Sequence, residues 1–308
     1  MTEFPTVVAA VDDSERTLDA LRMANFLAVT DRGGHFYAVH AAPGVSSALR
    51  PLLFPDAALA EDESDVEAEI LQHANKSIIE RWGAVIGSPE ALRLGCGDLV
   101  PTLENVCNTL GPDLLVMGRG ERADLGALGM VSRAMLDRAA WPIMIARQTP
   151  PDVEINTIHV AIDLTRDSVA LLELGLQLAV RHGATVTPVA VATTGSGGDH
   201  ARLWGESTNP PGKIRKMMQQ YVTRVTGALD VGFAAERELS DVLLEAELVN
   251  GDPGEIICEM SEAADLVIIG KNRSAGGRGL GRVAEHVARF ADAHVIVVPT
   301  EARIDTPS

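Results

Sequence analysis

The stretch Asp113-Leu-Leu-Val-Met-Gly118-Arg-Gly120 decides the fold of this chain, because a version of it occurs twice. The second copy, near the C-terminus, is Asp265-Leu-Val-Ile-Ile-Gly270-Lys-Asn-Arg273. In each copy an apolar run of strand length ends in glycine and a basic, glycine-containing loop. A helical pattern and a second β-rich run follow. The repeat indicates that one structural unit is used twice.

Each half begins with a strand, a helix and a second strand. In the first half the apolar run from Thr6 to Val11 is followed by a helical pattern up to Ala28 and by the apolar run His35-Phe-Tyr-Ala-Val-His40. The second half restarts the same order with Thr157-Ile-His-Val-Ala-Ile162. Strands that alternate with helices in this way form parallel sheets with right-handed crossovers.

The complete pattern predicts an α/β fold with two repeated, doubly wound domains, each with five parallel strands and four connecting helices. We place the first domain at residues 1–149 and the second at 155–300. The linker is Gln148-Thr-Pro-Pro-Asp152, because adjacent prolines cannot continue a helix or a central strand. A chain of 308 residues is long enough for two hydrophobic cores of this size.

The composition disfavours several classes of function. A formal net charge of −17 argues against binding nucleic acid, since phosphate contacts require clustered lysine and arginine. The first residues lack the pattern of a signal peptide, and no apolar run is long enough to span a membrane, so we expect a cytoplasmic protein. The cysteines Cys96, Cys107 and Cys258 form no disulfide framework or metal motif, and we interpret them as packing thiols.

The order of the elements predicts where a ligand would bind. In doubly wound sheets the ligand lies beyond the carboxyl ends of the strands, where the winding direction switches. Asp12 and Asp163 end first strands, while Gly118 and Gly270 end fourth strands. If those strands are neighbours, an acidic side chain and a glycine loop face one crevice in each half.

Motifs of well-known catalytic chemistry are missing from the sequence. The histidines show no HExxH or similar ligand spacing, and neither a P-loop nor a dinucleotide-binding glycine motif follows a first strand. Ser14 occupies a position typical of a helix N-cap, and Asp252 with Glu255 around Pro253 is typical of a helix start more than of an acid–base pair. We therefore expect a binding module more than an enzyme.

Taken together, these motifs resemble the universal stress protein family. In the first half the resemblance rests on Asp12-Asp-Ser14, Asp113 to Gly118 with its loop, and Trp141-Pro-Ile-Met-Ile. In the second half it rests on Ile162-Asp163, Gly251-Asp-Pro253, Leu-Val-Ile-Ile-Gly270 and Val-Ile-Val-Val-Pro299. It covers nearly the whole chain as a tandem pair. The resemblance implies a Rossmann-like fold of the adenine nucleotide alpha hydrolase type, a stress-response or signalling function, and at most weak ATP hydrolysis.

Members of that family that bind ATP carry a loop of the form G-x2-G-x9-G-[S/T] after the fourth strand, where backbone N–H groups and a helix N-terminus receive the phosphates. Neither half reproduces this loop. In the first half Gly118-Arg-Gly120 is followed by eight residues, then Gly129 and a methionine. In the second half Arg273 takes the place of the second glycine, and Gly281 is followed by Arg282.

Two interpretations of each loop stay open. It is either a phosphate site in which side chains such as arginine replace missing backbone contacts, or a solvated turn in a copy without a ligand. On the first interpretation an adenine nucleotide, ATP or another, is a candidate ligand of at least one half, and the resemblance places Ala41 or Ala192 beside the adenine. The candidate nucleotide-binding residues are Asp12, Ala41, Gly118, Gly120, Gly129, Asp163, Ala192, Gly270, Arg273, Gly281 and Arg282.

Two other functions compete with nucleotide binding. The apolar loop at 42–60, with Leu52, Leu53 and Phe54, is compatible with a scaffold or an apolar-ligand binder on the same fold. An enzyme that transfers a nucleotide α-phosphate would need a phosphate loop or a basic tetrad that the sequence does not contain.

For assembly, the apolar final strands Trp141 to Ala146 and Val295 to Val298 lie toward sheet edges, which tend to be paired or covered. They predict that the two halves pack on each other as an intramolecular pseudo-dimer. A homodimer of two chains is compatible with that arrangement. We expect neither a membrane nor a nucleic acid as a partner.

Overall fold

The computed structural model describes residues 4–28, 34–44, 63–120, 128–163, 167–192, 216, 219–224, 227, 239–271 and 280–299. The chain divides into two compact units, Met1–Val153 and Glu154–Ser308, called unit 1 and unit 2 below. Two features of the sequence prediction, the apolar residues around Phe54 and the loop arginine Arg273, lie outside the described residues.

Unit 1 alternates strands with helices. Its strands are β1 (Thr6–Ala10), β2 (His35–Pro43), β3 (Leu92–Gly97), β4 (Leu114–Gly118) and β5 (Ile143–Ala146). Its helices are α1 (Arg16–Ala28), α2 (Glu63–Ile86), α3 (Leu99–Leu110) and α4 (Met130–Arg138), with a 3-10 turn, Pro89–Ala91, before β3. The alternation predicted for the first half is therefore confirmed.

Unit 2 repeats the alternation. Its strands are β6 (Thr157–Ala161), β7 (Thr185–Ala192), β8 (Glu247–Asn250), β9 (Leu266–Lys271) and β10 (His294–Pro299). Its helices are α5 (Asp167–His182), α6 (Leu239–Val242), α7 (Pro253–Ser261) and α8 (Arg282–Phe290). The sequence predicts a basic helix from about Lys213 to Leu229, between β7 and β8, and residues 219–224 within it are helical. The short helix α6 was not predicted.

The strands of each sheet are parallel and occupy equivalent places. The order is β3-β2-β1-β4-β5 in unit 1 and β8-β7-β6-β9-β10 in unit 2. From the first strand the chain winds outward in one direction for two strands and then returns to the other side. The switch points therefore lie between β1 and β4, and between β6 and β9. The predicted α/β class is confirmed.

The aspartate that opens the repeated stretch joins the first and fourth strands at their amino ends. Asp113 Oδ2 accepts a hydrogen bond from Thr6 N at 2.7 Å, and Asp265 Oδ2 accepts one from Thr157 N at 3.0 Å. The backbone N–H groups of the same aspartates donate to the carbonyls of the same threonines. These paired bonds fix the register that brings the carboxyl ends of the two strands together.

Several boundaries differ from the prediction for local reasons. The sequence pattern after the acidic run at 61–65 predicts a helix that ends at about Trp82, but α2 continues to Ile86, which is 4% exposed, and Gly87 follows with a left-handed φ of 81°. The pattern also predicts a third strand near Ala91 to Gly95, but β3 continues to Gly97 because its ladder with β2 extends to Pro43. No helix within the described residues is both long and apolar enough to cross a membrane.

The start of the predicted linker is hydrogen-bonded to α1. Thr149 N donates to Asp19 Oδ1 at 2.8 Å, and Arg22 Nη1 donates to the Thr149 carbonyl at 2.7 Å. Asp19 is buried, and burial raises the pKa of its carboxyl, while the bond from Thr149 N acts in the opposite direction. The first residues after β5 are thus held by unit 1.

The core thiol Cys107 has the packing function that the sequence predicts. It is fully buried on α3, and burial raises the pKa of its thiol to about 12. A thiol with this pKa is protonated and unreactive at neutral pH. The partly buried Cys96 on β3 packs against the cluster Ala42, Val66, Ile70 and Ala74.

A buried histidine distinguishes the core of unit 2. His159 on β6 is 8% exposed, and its Nδ1 has no hydrogen-bond partner among the described residues. Burial lowers the pKa of His159, while the nearby Glu247 and a hydrogen bond with the Met260 backbone act in the opposite direction. Val8 holds the equivalent place in unit 1, since Val8 pairs with Leu115 on β4 as His159 pairs with Val267 on β9.

We predict that His159 makes unit 2 less stable in acid. The folded pKa lies below the unfolded value of about 6.5, so the unfolded chain gains a proton first and the free energy of unfolding falls as pH drops below about 6.5. His159→Val should flatten this dependence. Amide hydrogen exchange of β6 and β9 at pH values on either side of that pKa measures it, after correction for intrinsic exchange.

Wild type and His159→Val share all other histidines. The difference between their pH dependences of amide exchange therefore reports on His159 alone. Exchange in β1 and β4 of unit 1 is the internal control and should be the same in wild type and variant. An equal pH dependence of β6 exchange in the two proteins would contradict the prediction.

Candidate functional site

In unit 1 three adjacent strands bring candidate residues to one edge of the sheet. Gly118 ends β4, Asp12 follows β1, and Ala41 lies near the end of β2. The order β2-β1-β4 makes these strands neighbours, and all three run parallel. Asp12, Ala41 and Gly118 therefore lie at or near the carboxyl ends of three adjacent strands, which is the arrangement that a site beside the switch point requires.

Unit 2 places its candidates in the same way. Gly270 lies next to the end of β9, Asp163 follows β6, and Ala192 ends β7. The order β7-β6-β9 again makes the three strands neighbours. Ala192 also accepts a hydrogen bond through its carbonyl from Gly251 N at 3.1 Å, which ties β7 to the start of α7.

The aspartate after β1 organises the start of α1. Asp12 Oδ1 accepts hydrogen bonds from Ser14 N at 2.9 Å, from the Ser14 hydroxyl at 2.6 Å and from the Thr17 hydroxyl at 2.7 Å. Asp12 N in turn donates to Thr17 Oγ1 at 2.9 Å. The Ser14 hydroxyl is therefore hydrogen-bonded to Asp12, and Ser14 lies two residues before the helix begins at Arg16. We call the reciprocal pair of Asp12 and Thr17 the hydroxyl clasp of unit 1.

Unit 2 has the same clasp. Asp163 N donates to Ser168 Oγ at 3.0 Å, and the Ser168 hydroxyl donates to Asp163 Oδ1 at 2.6 Å. Thr17 and Ser168 are 3% and 2% exposed, so neither hydroxyl has water as an alternative partner. Neither hydroxyl was predicted from the sequence. The signal was present, because Ser or Thr follows both aspartates at a spacing of five.

An aromatic side chain forms a hydrogen bond with a residue of each clasp. Trp82 of α2 donates through Nε1 to the Asp12 carbonyl at 2.8 Å. In unit 2 the phenol of Tyr221 forms a side-chain hydrogen bond with Ser168, and burial raises the pKa of Tyr221 to about 12, with the charges of Asp163 and Asp167 adding to the shift. Both aromatic residues belong to the helical segment that follows the second strand of their unit.

His40, near the end of β2, is hydrogen-bonded to the backbone that precedes Asp12. His40 Nδ1 lies 2.9 Å from the Val11 carbonyl, which can only accept, so Nδ1 carries the proton. The bond holds the end of β2 against the residue that precedes Asp12.

The glycines of the first loop are required by close backbone approaches. A Cβ at Gly118 would lie 2.8 Å from the Arg16 carbonyl, because the start of α1 passes directly over the end of β4. Gly120 has a φ of 92°, and a Cβ there would lie 2.7 Å from Gly129 Cα. Gly129 N donates to the Arg119 carbonyl at 3.0 Å, so the loop is closed at its base. Packing alone is sufficient reason for these glycines.

Helix α4 starts without a side-chain cap. Gly129 is the N-cap residue and makes no side-chain cap hydrogen bond. Ser132, which follows the last glycine later than the family pattern requires, donates instead to the Gly118 carbonyl at 3.1 Å. Met130, at the first position of the helix, is 80% exposed. The first turn of α4 therefore begins without a side-chain cap and with an exposed apolar side chain.

Helix α8 also starts at an uncapped glycine but has a charged first residue. Gly281 is its N-cap and makes no side-chain cap hydrogen bond. Arg282, at the first helical position, donates through Nη2 to Asp252 Oδ2 at 3.1 Å. Lys271, which the sequence placed in the cationic loop, is instead part of β9 and 1% exposed. Among the described residues of this loop, the exposed cation is Arg282.

The partner of Arg282 is the cap of the neighbouring helix. Asp252 Oδ1 accepts from Gly254 N at 2.9 Å and from Glu255 N at 3.4 Å, so the predicted capping function of Asp252 is confirmed. The carboxylate thus contacts the N-terminus of α7 through one oxygen and Arg282 through the other. In unit 1 Asp98 holds the equivalent place before α3 but makes no side-chain cap hydrogen bond.

The two crevice edges share a backbone plan and differ in side-chain chemistry. Each offers a carboxylate after the first strand and an uncapped helix start after the fourth, which suits a ligand with a polar body and an anionic end. Within the described residues no cluster of histidine, cysteine, aspartate and glutamate could hold a metal ion. Except for Arg273, each candidate residue lies at or near the carboxyl end of the strands in its own unit. Contact between these residues and a ligand stays a prediction.

We predict that the hydroxyl clasp stabilises unit 1. Thr17→Val keeps the shape of the side chain but removes the acceptor of Asp12 N and one of the three donors to Asp12 Oδ1. The free energy of unfolding should fall by about 1–3 kcal/mol. Amide hydrogen exchange of β1 and α1 measures the change. Thr17→Ser, which keeps the hydroxyl as in unit 2, is the matched control and should retain most of the protection. Equal protection in Thr17→Val and wild type would contradict the prediction.

Comparison with known proteins places this architecture in a family. The family model described as "Universal stress protein family" matches residues 3–147 and again residues 154–299. Among curated relatives, universal stress protein Rv1996 of Mycobacterium tuberculosis is 26% identical over 238 residues, which cover 74% of this chain and 71% of the relative.

Two solved structures have the same fold along the chain. A universal stress protein from Archaeoglobus fulgidus superposes with a TM-score of 0.64 at 17% identity and covers 98% of both chains. The functionally unknown protein PA1789 from Pseudomonas aeruginosa gives a TM-score of 0.61 at 13% identity, covering 96% of this chain and 92% of that one. The repeated family match, together with the twofold repeat of strands, clasps and glycine loops, shows that the chain belongs to the universal stress protein family, with two such domains in tandem.

Proposed function

We propose that this chain is a stress-response protein that binds an adenine nucleotide, ATP or a related one, at the carboxyl edge of at least one of its two sheets. The observation that carries the proposal is the twofold occurrence of one constellation: a carboxylate after the first strand beside an uncapped helix start after the fourth. The stress-response part, and a location in the cytoplasm, rest on family membership and on composition.

The geometry supports a defined orientation of the nucleotide. Helix N-termini attract anions because their first N–H groups lack intrahelical partners and the helix dipole is positive there. The phosphates would therefore lie at the starts of α4 and α8. Adenosine would lie toward Asp12 and Ala41 in unit 1, or toward Asp163 and Ala192 in unit 2, where a carboxylate can accept from a ribose hydroxyl or an exocyclic amine.

Hydrogen bonds within the protein orient the Asp12 and Asp163 carboxylates for this function. The hydrogen bonds that Asp12 accepts from Ser14 and Thr17 fall on Oδ1, which fixes the plane of the carboxylate and directs Oδ2 away from the clasp. In unit 2 Ser168 likewise donates to Oδ1 of Asp163. A carboxylate positioned in this way loses little conformational entropy when it accepts a further bond.

The apolar-ligand and scaffold alternative receives no added support, because Leu52, Leu53 and Phe54 lie outside the described residues. Binding without turnover remains the proposed activity. The hydroxyls of both clasps donate to carboxylates, as Thr17 does to Asp12 and Ser168 does to Asp163, and these bonds position the carboxylates.

We predict that a negative charge at the first position of α4 or α8 weakens ATP binding in that unit. Met130→Glu and Arg282→Glu place a carboxylate where phosphate would lie, and both side chains are more than three-quarters exposed, at 80% and 84%, so folding should be unaffected. Each change should reduce affinity at least about tenfold in a unit that binds, since like charges in contact repel. Isothermal titration calorimetry with ATP gives affinity and stoichiometry.

Met130→Gln and Arg282→Gln are the matched uncharged controls. Unchanged circular dichroism and melting temperature verify that the variants fold. Loss of one binding event in one variant identifies the unit that binds. The proposal fails if wild type shows no saturable binding at millimolar ATP, or if neither Glu variant binds ATP more weakly than its Gln control.

A further inference from the structure

The ion pair between Arg282 and Asp252 is the feature of unit 2 that nucleotide binding alone does not explain. Arg282 Nη2 lies 3.1 Å from Asp252 Oδ2, and the two side chains are 84% and 40% exposed. The pair joins the first residue of α8 to the cap residue of α7. It places a carboxylate of the chain itself beside the helix start at which a ligand phosphate would bind.

The position of this carboxylate is set by the backbone. Gly251 has a φ of 155°, and a Cβ there would lie 2.8 Å from Ile256 Cγ1, so the turn before Asp252 requires glycine. Asp252 Oδ1 is occupied by the N–H groups of Gly254 and Glu255, which directs the other oxygen toward α8. The helices approach closely here, because a Cβ at Gly254 would lie 3.0 Å from the His286 ring.

Unit 1 shows that this pair is a specific addition. The turn Gly97-Asp98 matches Gly251-Asp252, with a φ of 138° at Gly97, and Gly129 matches Gly281 as the N-cap of the next helix. The residue that follows is methionine in unit 1 and arginine in unit 2. The exposed Met130 can offer Asp98 no charge. One architecture therefore carries an ion pair in one copy and an apolar residue in the other.

We propose that Asp252 and Arg282 together set how strongly unit 2 prefers a polyanionic nucleotide over an uncharged nucleoside: Arg282 favours the polyanion, and the Asp252 carboxylate limits that preference because it competes with ligand phosphate for Arg282. This inference rests on the proposed nucleotide binding of unit 2. A polyphosphate replaces the carboxylate with a stronger acceptor and gains a charge-assisted bond from the released guanidinium. Adenosine has no such group and leaves the pair in place.

The competition has a modest size because the pair is exposed. Exposed ion pairs contribute little in water, so removing the competing charge should tighten ATP binding by about two- to fivefold. The effect should shrink as salt rises, since screening weakens interactions between exposed charges. Asp252→Asn is the variant of choice. Asparagine caps a helix as well as aspartate, so α7 keeps its N-cap while the negative charge is removed.

The experiment measures ATP and adenosine affinities of the full chain in a Met130→Glu background, which suppresses binding at unit 1. Asp252→Asn should tighten ATP binding about two- to fivefold at low salt and leave adenosine binding unchanged. Asp98→Asn, the equivalent change in unit 1, is the matched control and should change neither affinity. In an Arg282→Met background, which copies unit 1, Asp252→Asn should have less effect on ATP than it has when Arg282 is present.

Three results would overturn the inference. Asp252→Asn could leave ATP affinity unchanged or weaken it, it could tighten adenosine and ATP binding equally, or it could act as strongly when Arg282 is methionine. In each of these cases nucleotide binding by unit 2 would still stand. If neither wild type nor any variant binds ATP or adenosine, the proposed function fails and the inference fails with it.

Discussion

The hydroxyl clasp at the start of the first helix is the interaction on which the geometry of each crevice edge depends. Asp12 and Thr17, like Asp163 and Ser168, exchange bonds between a strand end and a helix start. In unit 1 this brings α1 so close to β4 that a Cβ at Gly118 would lie 2.8 Å from the Arg16 carbonyl. The Thr17 and Ser168 hydroxyls are buried, so losing their bonds to the aspartates would cost free energy, and the same bonds fix the orientation of the carboxylates.

The fold was predictable because every level of the sequence agrees with it. Apolar runs of strand length alternate with helical patterns, turn residues separate them, and the order occurs twice, so local and global preferences point to one architecture. Even the aspartate that opens each repeated stretch has a physical function, since Asp113 and Asp265 bond the first residues of β1 and β6. Where boundaries failed, as at the end of α2, a buried residue such as Ile86 outweighed the local pattern.

The candidate site was predictable in its position but not in its bonds. Strand order is enough to bring Asp12 and Gly118 to one edge. Which groups those side chains contact depends on atoms that are far apart in sequence, as with Trp82 and the Asp12 carbonyl. The partner of Arg282 could not be predicted from the sequence either. A cap aspartate normally completes its function within its own helix, and only the close packing of α7 on α8 brings Asp252 to the arginine.

The irregular glycine spacing also has a different meaning once the backbone is considered. A loop that departs from the family pattern suggests a lost phosphate site if each glycine is taken to contact the ligand. Gly118 and Gly120 instead relieve contacts within the protein, and Gly129 and Gly281 leave two helix starts without side-chain caps. An anion needs the uncapped helix start more than it needs a fixed number of residues before it. The residue at the first helical position, methionine in one unit and arginine in the other, is therefore one position at which the two helix starts differ in charge.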